Sequence, residues 1–203
     1  MADAKLVAEL RAKTGAGMMA CKKALDGAGD NMEKAMELLR QSGELKAAQK
    51  TAERTTAEGI FVTYVHHNKK MAAMLELQCE SDFVALNKDF IAFADDLVMQ
   101  VAAMSPLYVS PEQVPEADLN KQKELFAQEM ANDNKPEDIK AKIMQGKVEK
   151  WLNDVCLTRQ SFFKEDDKTI EQMINEKIAT IGEKIVIARF VRWEIGTKPS
   201  SCN

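Results

Sequence analysis

Four consecutive residues near mid-chain, Ser81-Asp82-Phe83-Val84, set a hydroxyl, a carboxylate and a large aromatic ring side by side, directly after Cys79-Glu80. That set can do two different things. If Ser81 caps a helix, Asp82 sits in its first turn facing the positive end of the helix dipole, and Phe83 packs into the core. If the chain instead turns after a strand and shows these residues outward, an acid beside an exposed ring becomes a probe for another molecule. The residues alone leave both open. A second concentration lies near the N-terminus, in Leu10-Arg11-Ala12-Lys13-Thr14-Gly15-Ala16-Gly17-Met18-Met19-Ala20-Cys21-Lys22-Lys23-Ala24-Leu25. Its Thr14-Gly15-Ala16-Gly17 resembles a phosphate loop, but it joins two helices instead of following a strand, so a helix–turn–helix corner is the reading. For Met18 and Met19 the ordinary use is core filling, expected of one of the two. Methionine also adapts to a partner helix, and Lys22 beside it could steer docking.

Other chemistries find little support. The chain has no G-x-x-x-x-G-K-[ST], no G-x-G-x-x-G and no H-E-x-x-H run. His66-His67 could seed a metal site, yet neighbours on a strand point to opposite faces, which favours solvated histidines beside a turn. Cys21, Cys79, Cys156 and Cys202 share no C-x-x-C spacing, so zinc and dithiol chemistry are disfavoured and free thiols in a reducing compartment fit. No catalytic residue, cofactor or metal is expected. A net charge of −4 lacks the basic footprint of a nucleic-acid binder. The N-terminus has no apolar signal region, and no window approaches the apolar length of a membrane span, so a cytoplasmic protein is expected.

The elements that must position these residues follow from periodicity. Residues 3–42 read as a compact three-helix unit. Leu6, Val7 and Leu10 fall at helical spacing, Gly15 ends the first helix, and 17–25 forms a second that Gly27 and Gly29 break. Asp30 and Glu33 then look like N-cap and N3 of a capping box, with Met32, Ala35, Met36 and Leu39 on one face and Gly43 at C′. Residues 44–57 read as a polar helix or linker.

The character then changes. Ile60-Phe61-Val62-Thr63-Tyr64-Val65 is β-branched and aromatic, 66–70 supplies a turn, and 71–78 continues as a second strand. Residues 87–104 form an amphipathic helix with Phe90, Ile91, Ala94, Leu97, Val98 and Val101 on its stripe. Ser105-Pro106 stops it, 107–109 is extended, and Ser110, Pro111 and Gln113 signal a helix start. Helices over about 116–131 and 136–156, flanking a turn at 132–136, make an antiparallel helical hairpin through Leu119, Phe126, Met130, Ile139, Ile143, Trp151 and Val155. A last helix at 169–181 and a strand at 184–195 precede a frayed tail. The fold class is therefore α+β: a three-helix module at 1–43, a linker at 44–57, a core at 58–196 with a small antiparallel sheet and an inserted helical hairpin, and a flexible tail at 197–203. With three strands, the sheet would have at least one unpaired edge, which invites a second copy.

Both segments, in this order and with these surrounding elements, resemble the signature segments of the elongation factor Ts family, over about residues 7–196. The resemblance implies a ubiquitin-associated type of N-terminal module and the role of a guanine nucleotide exchange factor in translation elongation. It implies that elongation factor Tu is the partner, both GDP-bound and nucleotide-free. It also implies that Ser81, Asp82, Phe83 and Val84 correspond to the Thr-Asp-Phe-Val segment that enters the partner's G domain and disturbs its magnesium and phosphate site. Serine at 81 keeps the hydroxyl of the family's threonine. Met18, Met19 and Lys22 would form a second contact, and Phe162 and Phe163 a third, for which burial against the closing strand is an equal reading. Many family members carry two related core halves and this chain one, as in short forms that act as homodimers. A non-exchanging adapter built on the N-terminal module is the alternative.

Overall fold

Three helices open the chain: α1 (Ala4–Thr14), α2 (Met18–Ala28) and α3 (Met32–Glu53). The structure is a computed structural model that describes residues 4–14, 16–130 and 136–197, and of 44–53 and 137 the backbone alone. Val7 and Leu10 of α1, Cys21, Ala24 and Leu25 of α2 and Ala35 of α3 share one buried cluster, with Leu6, Met32 and Leu39 around it. Met36, expected on that face, is exposed. Gly27 lies inside α2; the helix ends at Gly29, whose φ of 61° allows it and Asp30 to return their N–H groups to the Leu25 carbonyl. The cap of α3 is Asn31 instead of Asp30: its Oδ1 accepts from the Lys34 N–H at 3.0 Å and its carbonyl from Ala35 at 2.9 Å. Asp30 is taken up by the turn, at φ 61°. Nor does α3 stop at Gly43. A Cβ there would lie 3.3 Å from Cβ of Ala179 in α8 (Ile170–Ile181), so this glycine allows two helices to approach closely and does not end one.

β1 (Glu58–Val65) turns back into β2 (Met71–Cys79), with the His66 N–H donating to the Met71 carbonyl at 2.9 Å. β5 (Val186–Glu194) joins the other side, giving the small antiparallel sheet in the order β1-β2-β5. Ala73, Leu75, Leu77 and Cys79 are buried on alternate positions of β2, the period-two signature of a central strand with one face on the core. A single turn, α4 (Asp82–Ala85), and the longer α5 (Lys88–Met104) follow β2. On α5 the buried stripe is Phe90, Phe93, Ala94, Leu97, Val98 and Val101; Ile91 lies off it and is exposed.

Ser110-Pro111 opens only a 3-10 turn at Pro111–Gln113. α6 (Glu116–Glu129) and α7 (Glu137–Val155) form the helical hairpin, joined by a Lys147–Glu129 ion pair. Its turn at 132–135 lies outside the described residues. Tyr108 makes a parallel bridge with Cys156. Beyond α7 comes a two-stranded hairpin that periodicity did not signal, β3 (Ser161–Phe162) against β4 (Glu165–Thr169). Thr169 ends β4, and α8 begins at Ile170. The expected tail lies outside the described residues from 198 on, Cys202 with it.

The chain divides into two compact units, neither continuous in sequence. One comprises Met1–Phe61, Glu76–Ala92 and Glu171–Val186; the other Val62–Leu75, Phe93–Ile170 and Ile187–Asn203.

Candidate functional site

The central strand β2 ends at Cys79, and the chain turns sharply through Glu80 and Ser81 into α4. Ser81 has the extended backbone of an N-cap (φ −128°, ψ 154°), but its side chain makes no cap bond. The hydroxyl instead donates to Glu183 Oε1 at 2.6 Å. Oε2 of the same carboxylate accepts the backbone N–H groups of Glu80 at 3.2 Å and Ser81 at 3.1 Å. The return contact is just as direct. Glu80 Oε1 accepts the Lys184 N–H at 2.6 Å, and Arg54 Nη1 reaches both Glu80 oxygens at 3.2 and 2.9 Å. Lys184 Nζ closes the loop on the Arg54 carbonyl at 2.7 Å. Beneath the turn, the Cys79 thiol donates to the Ser81 carbonyl at 3.2 Å. Burial, and then the Glu183 carboxylate, push this thiol above its ordinary pKa, so it is held as a neutral donor.

This cross-brace fixes a corner with two large apolar side chains facing outward. Phe83 is 84% exposed and Leu86 76% exposed, while Ala85 is buried and Val84 half-buried. Asp82 is exposed in the first turn of α4. The core-packing alternative for Phe83 is therefore corrected: only the placement of Ser81 and Asp82 follows the helix-cap pattern. The single turn is closed by Ala85 N–H to the Ser81 carbonyl at 3.2 Å and Leu86 N–H to that of Asp82 at 3.0 Å. Phe83 and Leu86 stand three residues apart, the spacing of neighbours on one helical face. The sequence singles out only Ser81–Val84 at this turn and leaves Leu86 unmarked. The i, i+3 pairing of two large apolar residues was the available signal.

Neither methionine of α2 fills the core. Met18 is 58% and Met19 66% exposed, and Lys22 is exposed on the same helix, with Cys21, Ala24 and Leu25 turned inward. The expectation that one methionine is buried is corrected: the inner face of α2 is Cys21, Ala24 and Leu25, and both methionines fall outside it. These residues and the Phe83 corner belong to the same compact unit, whereas Phe162 and Phe163 belong to the other. Phe162 is buried and Phe163 about one-third exposed, their rings edge to face at 5.0 Å. Phe163 thus holds most of what that pair can offer another molecule.

The histidine pair differs from its expected geometry. β1 ends at Val65, so His66 and His67 escape strand alternation and their ring centroids lie 4.2 Å apart. His66 Nδ1 also shares a 2.9 Å hydrogen bond with the Tyr64 hydroxyl. Among the described residues no group of three His, Cys, Asp or Glu side chains could hold a metal ion, and no helix is long and apolar enough to cross a membrane.

Comparison with known proteins gives a consistent picture. Residues 4–197 match the family described as Elongation factor TS. The chain is 48% identical to Elongation factor Ts of Desulforamulus reducens over 194 residues, covering 96% of this chain and 89% of that protein. It is 47% identical to Elongation factor Ts of Thermosipho melanesiensis over 196 residues, 97% of this chain and 100% of the other. A third relative, Elongation factor Ts of Maridesulfovibrio salexigens, is 49% identical over 189 residues, 93% of this chain and 91% of its own.

Proposed function

The chain belongs to the elongation factor Ts family, a family of translation elongation factors, and from that premise we propose that it is a guanine nucleotide exchange factor for elongation factor Tu. The observation that carries this reading is the exposed Phe83, held outward on a braced corner. A large ring in water is unfavourable for the free protein, and its use lies in a complex. The family resemblance supplies the target: the partner's G domain, where Asp82 and Phe83 displace magnesium and disturb the phosphate site.

The physical account is one of reciprocal coupling. Nucleotide and exchange factor bind the same GTPase and weaken each other by the same factor. Expelling a tightly held GDP requires higher affinity for the nucleotide-free state, and the volume of Phe83 with the charge of Asp82 would supply that difference. Ser81 and Val84 set the corner, and Leu86 widens its apolar tip. Met18, Met19 and Lys22 would hold the factor in place while GDP leaves, with Phe163 a weaker contact. GTP then rebinds and the factor departs. No covalent step is needed, so the protein is not an enzyme in the bond-making sense.

The same reading includes a ubiquitin-associated-like module at 1–43, a linker at 44–57, a core at 58–196 and a cytoplasmic location. It also includes a homodimer. Among the described residues β1 and β5 are the edges of the sheet, with Phe61 and Val65 of β1 and Trp193 of β5 exposed. Light scattering at micromolar concentration should give a dimer mass, and a monomer mass would end that part. The exposure of both Met18 and Met19 also suits a second reading, an adapter that binds through the N-terminal module without exchange.

The deciding experiment follows release of a fluorescent GDP analogue from elongation factor Tu under excess unlabelled GDP. The protein should accelerate release, and Phe83→Ala should abolish most of the acceleration. Acceleration that survives in Phe83→Ala would move the mechanism to the N-terminal contacts. No acceleration by the folded wild type would leave the adapter reading.

A further inference from the structure

A wedge works only if it does not yield when pushed, and α4 is one turn long. Four residues of helix cannot hold their own orientation; nucleation is unfavourable and the end groups lack partners. The stiffness of the corner must come from outside it. Its source is a side chain 102 residues further along the chain, Glu183. One carboxylate takes three donors: two successive backbone N–H groups and the Ser81 hydroxyl. Charge-assisted hydrogen bonds of this kind are about twice as strong as neutral ones, and three on one group leave the corner little freedom.

The placement of Glu183 is itself determined. α8 ends at Ile181, and Gly182 turns the chain at φ 90°, a conformation that side-chain-bearing residues rarely adopt. Its N–H still bonds the Ile178 carbonyl at 2.9 Å, closing the helix. Glu183 thus projects from a fixed helix end, while Lys184 presents its backbone N–H to Glu80 from the next position. The two carboxylates each grip the backbone of the other's segment, and Arg54 holds Glu80 in register.

We propose that Glu183 is a positioning residue for nucleotide release: it does not touch the partner, but clamps residues 80–81 so that Phe83 and Leu86 act as a rigid wedge. This rests on the exchange-factor reading. It separates Glu183 from the residues of the α2 surface, which bear on affinity and not on the maximal rate.

Glu183→Gln is the direct test, because the amide keeps the size of the side chain but turns an NH₂ group toward donors. Two readouts are needed. Backbone amide exchange of Glu80 and Ser81 should accelerate about tenfold or more, while amides of α2 keep their protection. The maximal rate of GDP release at saturating factor should fall about tenfold, with the half-saturating concentration within about twofold of wild type. Glu183→Asp, which keeps the charge but is shorter, should recover part of the rate. If Glu183→Gln folds poorly, Glu183→Asp carries the test alone: its amides at 80–81 should exchange faster than in wild type and its maximal rate should fall about threefold at unchanged half-saturation.

Protected amides at 80–81 in Glu183→Gln would overturn the clamp. Freed amides with a wild-type maximal rate would overturn its positioning role. A wild type that does not accelerate GDP release would instead remove the exchange-factor reading, and the positioning role with it, while the amide data still report whether the clamp exists.

Discussion

Two corners of this protein carry adjacent aromatic and polar residues, and each is held by one side chain distant in sequence. At residues 80–86 the pin is Glu183. At 160–163 it is Gln100, whose Nε2 donates to the Ser161 carbonyl at 3.0 Å and Gln160 Oε1 at 3.2 Å, and whose Oε1 accepts the Phe163 N–H at 2.9 Å. The outcomes are opposite. Phe83 stands 84% exposed, while Phe162 is 4% exposed. The pins differ in the matching way. Gln100 is fully buried, and a neutral amide both donates and accepts there without a charge to desolvate. Glu183 is only half-buried, where a carboxylate that accepts three donors stays compatible with nearby water. Fixing a backbone therefore does not decide whether its aromatic faces in or out. The direction of the turn decides that, and the chemistry of the pin follows.

The sharpest way to break the comparison is to truncate the ring at each corner. Phe83→Ala should leave stability within about 0.5 kcal/mol of wild type, since it removes a solvated side chain. Its maximal acceleration of GDP release should fall about thirtyfold or more, the size expected when a hot-spot aromatic worth about 2 kcal/mol is removed. Phe162→Ala should do the reverse: about 3 kcal/mol of stability lost to a core cavity, with release little changed well below the unfolding midpoint. Urea denaturation of both variants beside the release assay checks the pair. If Phe162→Ala lost activity without losing stability, the buried corner would be a contact site after all.

A smaller effect separates the corner from the α2 surface. Met18→Ala, Met19→Ala and Lys22→Ala should each raise the half-saturating concentration by about three- to tenfold at an unchanged maximal rate. The Lys22 effect alone should shrink as salt rises toward about 0.5 M, because exposed charges are screened over a few ångströms there. Titrating the factor at two salt concentrations tests this. A fall in maximal rate with any of the three would merge the two surfaces into one.

Much of this arrangement was legible in the sequence because it rests on local period. The α1–α3 cluster, the β1–β2 hairpin and the inner stripe of α5 each follow from apolar spacing. What escaped depended on contacts far apart in the chain. Gly43 has the look of a helix stop, yet α3 runs through it to Glu53, and the nearby Ala179, far along the chain, accounts for a glycine there. Glu183 reads as one acid among 32 acidic residues, and nothing nearby marks it as the partner of Ser81. The β3–β4 hairpin is too short for alternation to register, and its strand Glu165–Thr169 is polar. Phe83 was legible as a residue to watch, but its direction was not. A Ser-Asp-Phe start fits a buried helix equally well, and exposure is set by a turn held from outside.

The finest distinction between the corners lies in their thiols. Cys79 sits beneath the first, and Cys156 bridges to Tyr108 a few residues before the second. Both are buried and both thiols are pushed up, Cys156 to about 11, chiefly by burial with Arg159 opposing it. A thiol raised in the fold ionises first in the unfolded chain, so the native state holds more protons through that window. Its contribution to stability is therefore full at neutral pH and declines as pH rises from the ordinary thiol value toward about 11. Denaturation midpoints measured across that range should fall, and Cys156→Ala should flatten the lower part of the slope. Tyr108, raised to about 12 by burial and its bond to Asp118, continues the decline above the ordinary tyrosine range. Cys79→Ala should flatten the slope as well, but it also removes the donor beneath Ser81 and so should loosen the 80–81 amides. A Cys156 variant with the wild-type slope would mean that this thiol already meets water in the folded state, and the second corner would then be the looser of the two.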